Sequence, residues 1–124
     1  MIEVKPITEA VLLQSLFLEN GLTVDSFSGG VAARCGEEML GYCLYSLTEK
    51  GITVHCLEPQ SDAFLADGVL RSALHVAAER SAMDARYSDS APAQLLKHLG
   101  FIADEKEKKI NIDLLFGGCH CHSE

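Results

Sequence analysis

The hydrophobic period of this chain changes twice, and that change restricts its fold more than any other feature. Between residues 31 and 57, strand-like blocks at 31–35, 39–47 and 52–57 are separated by Gly36-Glu37-Glu38 and Glu49-Lys50-Gly51. In the second block Leu40, Tyr42 and Leu44 share one face, which Ser46 would extend. In the third, Ile52, Val54 and Cys56 alternate with Thr53, His55 and Leu57. Consecutive strands joined by such short turns predict an antiparallel meander. From 63 to 80 the period becomes helical. Ala66, Val69, Leu70, Ala73, Leu74, Val76 and Ala77 make one broad apolar face, and Asp67 and Arg71 have the spacing of a stabilising helix pair. A strand pattern returns at 84–88. Strand, helix, strand is the signature of a right-handed crossover joining parallel strands.

The flanking segments extend this plan. Residues 2–5 alternate as a short strand before Pro6. Thr8 reads as a helix N-cap, and Val11, Leu12, Leu16 and Phe17 follow at near-helical spacing until Asn20-Gly21. Pro92 suits the first turn of a further helix that runs to Leu99 and stops at Gly100. Residues 109–116 alternate as a last strand. The expected class is therefore α+β, with a mixed, mostly antiparallel sheet flanked by helices. With 124 residues there is room for one domain, read as 1–116, followed by a tail at 117–124. The formal charge of −8 argues against nucleic acid as a partner, because an acidic surface repels phosphate backbones. No apolar run reaches membrane-spanning length, and the N-terminus lacks a signal-peptide core. Five cysteines at irregular spacing do not resemble a secreted disulfide framework, so a reducing, cytoplasmic location is expected.

Two segments carry a resemblance. Gly68-Val69-Leu70-Arg71-Ser72-Ala73-Leu74 is similar to the acetyl-CoA loop and the following helix start of the GNAT superfamily of N-acetyltransferases. Leu95-Leu96-Lys97-His98-Leu99-Gly100-Phe101 resembles that family's late helix ending in Leu-Gly-Phe. The meander feeding a crossover helix agrees with it, and the resemblance covers nearly the whole domain but not the tail. It implies acyl transfer from acetyl-CoA to an amine of a small molecule or peptide. In the family, backbone amides at a helix start hold the coenzyme A diphosphate, and a splayed strand pair binds the pantetheine arm. By resemblance Leu57, Gly68, Val69, Leu70 and Arg71 are the cofactor-binding positions. Glu58, at the end of the third meander strand, is the candidate base and Tyr87 a candidate acid; His55 and Tyr45 are alternatives. The match has departures. Leu65 stands where the family has Arg or Gln, Leu70 where it has a second small residue, Leu96 where it has Tyr and Asp89 where it has Asn. Pairing into a homodimer is a further expectation, since members often pair and the last strand is bare.

The tail carries its own chemistry. Cys119, His120, Cys121 and His122 stand in a row after Gly117-Gly118. Thiolates and imidazoles suit zinc or another thiophilic metal. The spacing is tighter than that of a structural zinc site. An alternative function is thus a non-catalytic domain of the same fold that binds such a metal through its tail, as a sensor, carrier or interaction module. The remaining cysteines are expected to pack as small hydrophobes.

Overall fold

A computed structural model describes residues 2–80 and 84–111; residues 112–116 of the predicted strand 109–116, and the tail, lie outside the described residues. In chain order the elements are β1 (Ile2–Pro6), α1 (Ala10–Glu19), β2 (Ser28–Cys35), β3 (Glu38–Leu47), β4 (Gly51–Glu58), α2 (Ala63–Glu79), β5 (Asp84–Tyr87), α3 (Ala93–His98), β6 (Ile102–Asp104) and β7 (Lys109–Ile110). The strands form one sheet in the order β1-β2-β3-β4-β5-β7-β6. Its pairs are antiparallel except β4 with β5, which α2 joins as a parallel pair. The protein is an α+β fold with a mixed, mostly antiparallel sheet, as the periodicity requires.

The two faces of the sheet are unequal. On one, α2 lays Ala66, Val69, Leu70, Ala73, Leu74 and Ala77 over inward residues of β2 to β5, among them Val31, Tyr45, Val54 and Leu57. Leu96 of α3 and Phe101 join the same cluster. Leu and Ala alternate along α2, so the helix approaches the sheet closely and large side chains fill the gaps between small ones. On the other face α1 contributes Leu16 and Phe17, which pack with Leu44 of β3 and Cys56 of β4. This layer is smaller, and Asp84 and Arg86 of β5 are exposed beside it.

Several boundaries differ from expectation. The N-cap of α1 is Glu9, not Thr8, and no side chain caps it there; Glu9 instead pairs with Arg34 through both carboxylate oxygens, at 3.0 and 3.2 Å. Val11 is exposed, because the helix buries only its Leu16–Phe17 end against the sheet. Strand β6 was not anticipated. Three residues after Gly100 carry too little pattern to register, and their pairing with β7 depends on a turn at 105–108.

The largest correction lies in β4. Leu44 stands opposite Cys56 while Tyr45 stands opposite Val54, so His55 is an extra residue in β4. Strict alternation puts Ile52, Val54 and Cys56 on one face. The bulge shifts the phase by one. Ile52, Val54 and Leu57 face α2, and Cys56 faces α1.

Candidate functional site

The bulge sits where β4 and β5 part. Their register runs from Gly51–Asp84 to Val54–Tyr87. Ser88 N–H donates to the Val54 carbonyl at 2.9 Å, after which the Ser90 hydroxyl donates to the His55 carbonyl at 2.8 Å. A backbone ladder thus ends in a side-chain contact; β4 runs on to Glu58 while the chain after Tyr87 turns at 88–91, which makes a fork in the pairing.

His55 is held at the vertex of this fork. Its Nε2 lies 2.8 Å from Ser46 Oγ and its Nδ1 2.9 Å from Ser88 Oγ; Ser88 Oγ lies 2.8 Å from Ser90 Oγ. Counting protons orders the chain. A carbonyl only accepts, so the Ser90 proton is committed to His55 O. Ser88 must then donate to Ser90, and its oxygen accepts from His55 Nδ1–H. A neutral ring carrying Nδ1–H leaves Nε2 as an acceptor, and the Ser46 hydroxyl donates to it. This tautomer is assigned from the bonding pattern. Burial lowers the His55 pKa from its ordinary 6.5, and the Asp25 carboxylate opposes that shift only in part. The ring is therefore neutral near pH 7.

A second polar group lies further along the same face. Asn20, the C-cap of α1, donates from Nδ2 to Leu16 O at 2.8 Å and to Tyr42 Oη at 3.2 Å, and its Oδ1 accepts from Cys56 Sγ at 3.3 Å. Burial, with the Glu58 carboxylate nearby, pushes the Cys56 thiol up to about 11. Burial likewise raises Cys43 and Tyr42. These thiols are packing groups rather than nucleophiles. Cys35, the third cysteine of the domain, is exposed rather than packed.

Of the anticipated residues, Glu58 ends β4 opposite Tyr42, and its carboxylate accepts from Gln60 Nε2 at 3.3 Å. A Cβ on Gly41 would stand 2.6 Å from the Glu58 carbonyl oxygen and 2.8 Å from Pro59 Cδ, so the absence of a side chain there lets this end of β4 seat on β3. Tyr87 is 6% exposed and belongs to the α2-side core, on the opposite face from His55. Leu57, Val69 and Leu70 are fully buried in that core. Leu70 therefore points away from any ligand approaching the helix start. Arg71 holds Asp67 at 2.8 Å and lies over the Phe101 ring, 5.2 Å from its centroid. Asp89 pairs with Lys108.

Gly68 requires the clearest revision. It is the sixth residue of α2, so its amide falls among those bonded within the helix and not among the first four that point outward. A Cβ at Gly68 meets nothing within 4 Å. Close helix–sheet packing therefore does not explain it. The outward amides belong to the start of the helix, where the Asp62 carboxylate accepts from Leu65 N–H at 3.1 Å. The donors a diphosphate would need are the amides at that start and not Gly68, and it would share them with a carboxylate. We expect Gly68→Ala to stabilise the protein by roughly 0.5–1 kcal/mol, since alanine removes the glycine entropy cost in a helix interior and finds open space. Thermal melting measures this; a fall in Tm would show that Gly68 has a packing role not visible in its contacts.

Among the described residues no cluster of three or more His, Cys, Asp or Glu is placed to hold a metal ion, and no helix is long and apolar enough to cross a membrane. Cys119, His120, Cys121 and His122 lie outside the described residues. In the sequence Ser46 reads only as a face position of its strand, and Ser88 and Ser90 carry no signal, because the serines come from two segments that only the sheet brings to one histidine. Compared with models of known protein families and with curated proteins, the chain matches none.

Proposed function

We propose that the domain is a GNAT-type N-acyltransferase that transfers an acetyl group from acetyl-CoA to a primary amine of a small molecule or peptide. The observation that carries this reading is the fork. A meander feeds a crossover helix into one parallel pair, and that pair separates after Val54 and Tyr87 at a bulged strand. This is the kind of splayed pair that the resemblance requires for a pantetheine arm. In such a reaction the amine nitrogen attacks the thioester carbonyl, the N–C bond forms and the C–S bond breaks. The protein's part is to hold the two reactants, and to accept a proton as the amide forms. The carboxylate of Glu58 and the imidazole of His55 stand within three residues of one another on β4 for that task.

The same reading predicts weak donor binding. Asp62 caps α2 well, as aspartate does, yet its charge opposes a diphosphate at those amides. Asp62→Asn keeps the cap and removes the charge. Calorimetric titration with acetyl-CoA is expected to give saturable binding. The variant is expected to bind roughly fivefold more tightly, the effect of removing one like charge from a partly solvated contact. No binding by either protein at millimolar acetyl-CoA would defeat the acyltransferase reading. Equal binding by both would remove the diphosphate from the start of α2.

A further inference from the structure

We propose that His55 accepts the proton of the acceptor amine, relayed by the Ser46 hydroxyl, while Ser88 and Ser90 hold the imidazole in the reactive tautomer. This rests on the acyltransferase reading and changes the residue that serves as base.

Position is the first argument. His55 is the bulged residue at the point where the parallel strands part, whereas Glu58 lies three residues on, near Tyr42 and Cys56 and bonded by Gln60. The second argument is the direction of the hydrogen bonds. From the Nδ1 side, every proton is committed in sequence through Ser88 and Ser90 to the His55 carbonyl. The basic lone pair of Nε2 is thus turned to Ser46, on β3. The histidine cannot adopt the other neutral tautomer without breaking the contact that holds the fork.

Charge movement through this chain balances. As the amine nitrogen bonds to the thioester carbon, its proton passes to Ser46 Oγ while the Ser46 proton passes to His55 Nε2. The C–S electron pair leaves with sulfur, and the thiolate takes up a proton, ultimately the one released by the imidazolium. The imidazolium then donates Nε2–H to Ser46 and Nδ1–H to Ser88. The Ser88 and Ser90 bonds are the same in both protonation states, so the positive charge is received without rearrangement. The charged group that acts on the ring is the Asp25 carboxylate, from the segment between α1 and β2; on β5, Arg86 is engaged with Asp84 at 2.8 Å.

The test is the pH profile of kcat/KM for acetyl transfer to a panel of primary amines, run on wild type, His55→Gln, Glu58→Gln and Ser88→Ala. Wild type is expected to gain activity with rising pH along a limb set below 6.5, because the neutral ring is the active form. His55→Gln is expected to lose that limb and roughly a hundredfold in rate while its acetyl-CoA binding stays unchanged. Glu58→Gln is expected to keep the limb. Ser88→Ala is expected to lower kcat more than it alters KM. Long-range nitrogen–proton NMR of the imidazoles is expected to show the Nδ1–H tautomer in wild type and mixed tautomers in Ser88→Ala. A limb that survives in His55→Gln and vanishes in Glu58→Gln would overturn the assignment and leave the acyltransferase reading standing. An Nε2–H tautomer in wild type would overturn it by itself, whether or not the His55 variant folds. Wild-type protein that neither binds acetyl-CoA nor acetylates any amine overturns the function and this inference together.

Discussion

Gly51→Ala is expected to destabilise the protein by about 3 kcal/mol or more, at the upper end for overpacking, because the intruding atom meets backbone. A Cβ at this position would lie against the carbonyl and Cβ of Asp84, its partner in the parallel ladder. A side-chain neighbour can turn away, but a ladder carbonyl cannot move without giving up its own pairing. Gly51 also accepts from Thr48 N–H at 2.9 Å to close the β3–β4 turn, so the strand cannot shift in that direction either. The change opens the β4–β5 pair at its closed end, four residues from His55, and is expected to abolish the fork network as well as stability. Chemical denaturation gives the stability. The imidazole NMR signals of His55 report the network. A variant that melts within a degree or two of wild type would mean that β4 and β5 are not paired here as described.

Phe101→Ala is expected to cost about 3–5 kcal/mol, the range for emptying a fully buried aromatic site. The ring is completely buried in the α2-side core. Its backbone donates to Leu96 O at 2.9 Å and its carbonyl accepts from Asn111 N–H at 2.8 Å, so one residue ties the end of α3 to the chain after β7. Its ring also lies under the Arg71 guanidinium. For a domain of this size the loss corresponds to a fall in Tm of about 12–19 °C, and it approaches the whole stability of a small protein. Thermal melts measure it. Phe101→Leu is expected to recover more than half of the loss, since it restores most of the volume. If the leucine variant melted no higher than the alanine one, the ring's contact with Arg71, rather than its volume, would be the larger contribution.

Much of the frame was legible before the structure. Helix α2 lies where its period put it, and the Asp67–Arg71 pair closes at 2.8 Å. Gly100 stops α3 in a left-handed conformation with φ 85°, as a glycine after a helix end should. The misses have local causes. Thr8 is a good capping residue, but Glu9 takes the cap position because it has Arg34 to bind across the sheet. Gly51 read as part of a turn and Gly41 was not read at all, yet each is small because a neighbouring strand end comes too close for a side chain. Gly68 read as a phosphate contact by resemblance, and its position within the helix was decided by where α2 begins.

The candidate site was half legible. His55 and Glu58 stood out as titratable residues near the end of a strand, but the serines that orient the imidazole did not. Period and turn residues alone determined the meander, the crossover helix and the class of fold, because those signals act over a few residues and survive in the linear text. The bulge at His55, the exchange of faces between Cys56 and Leu57 and the fork held by Ser88 and Ser90 were decided only in the tertiary structure. Each depends on register between segments that are distant in sequence, and register is set by how both faces of the sheet are covered at once. One extra residue in β4 lets Leu57 enter the core under α2 while Cys56 meets α1, and the same residue is thereby placed where two parallel strands part.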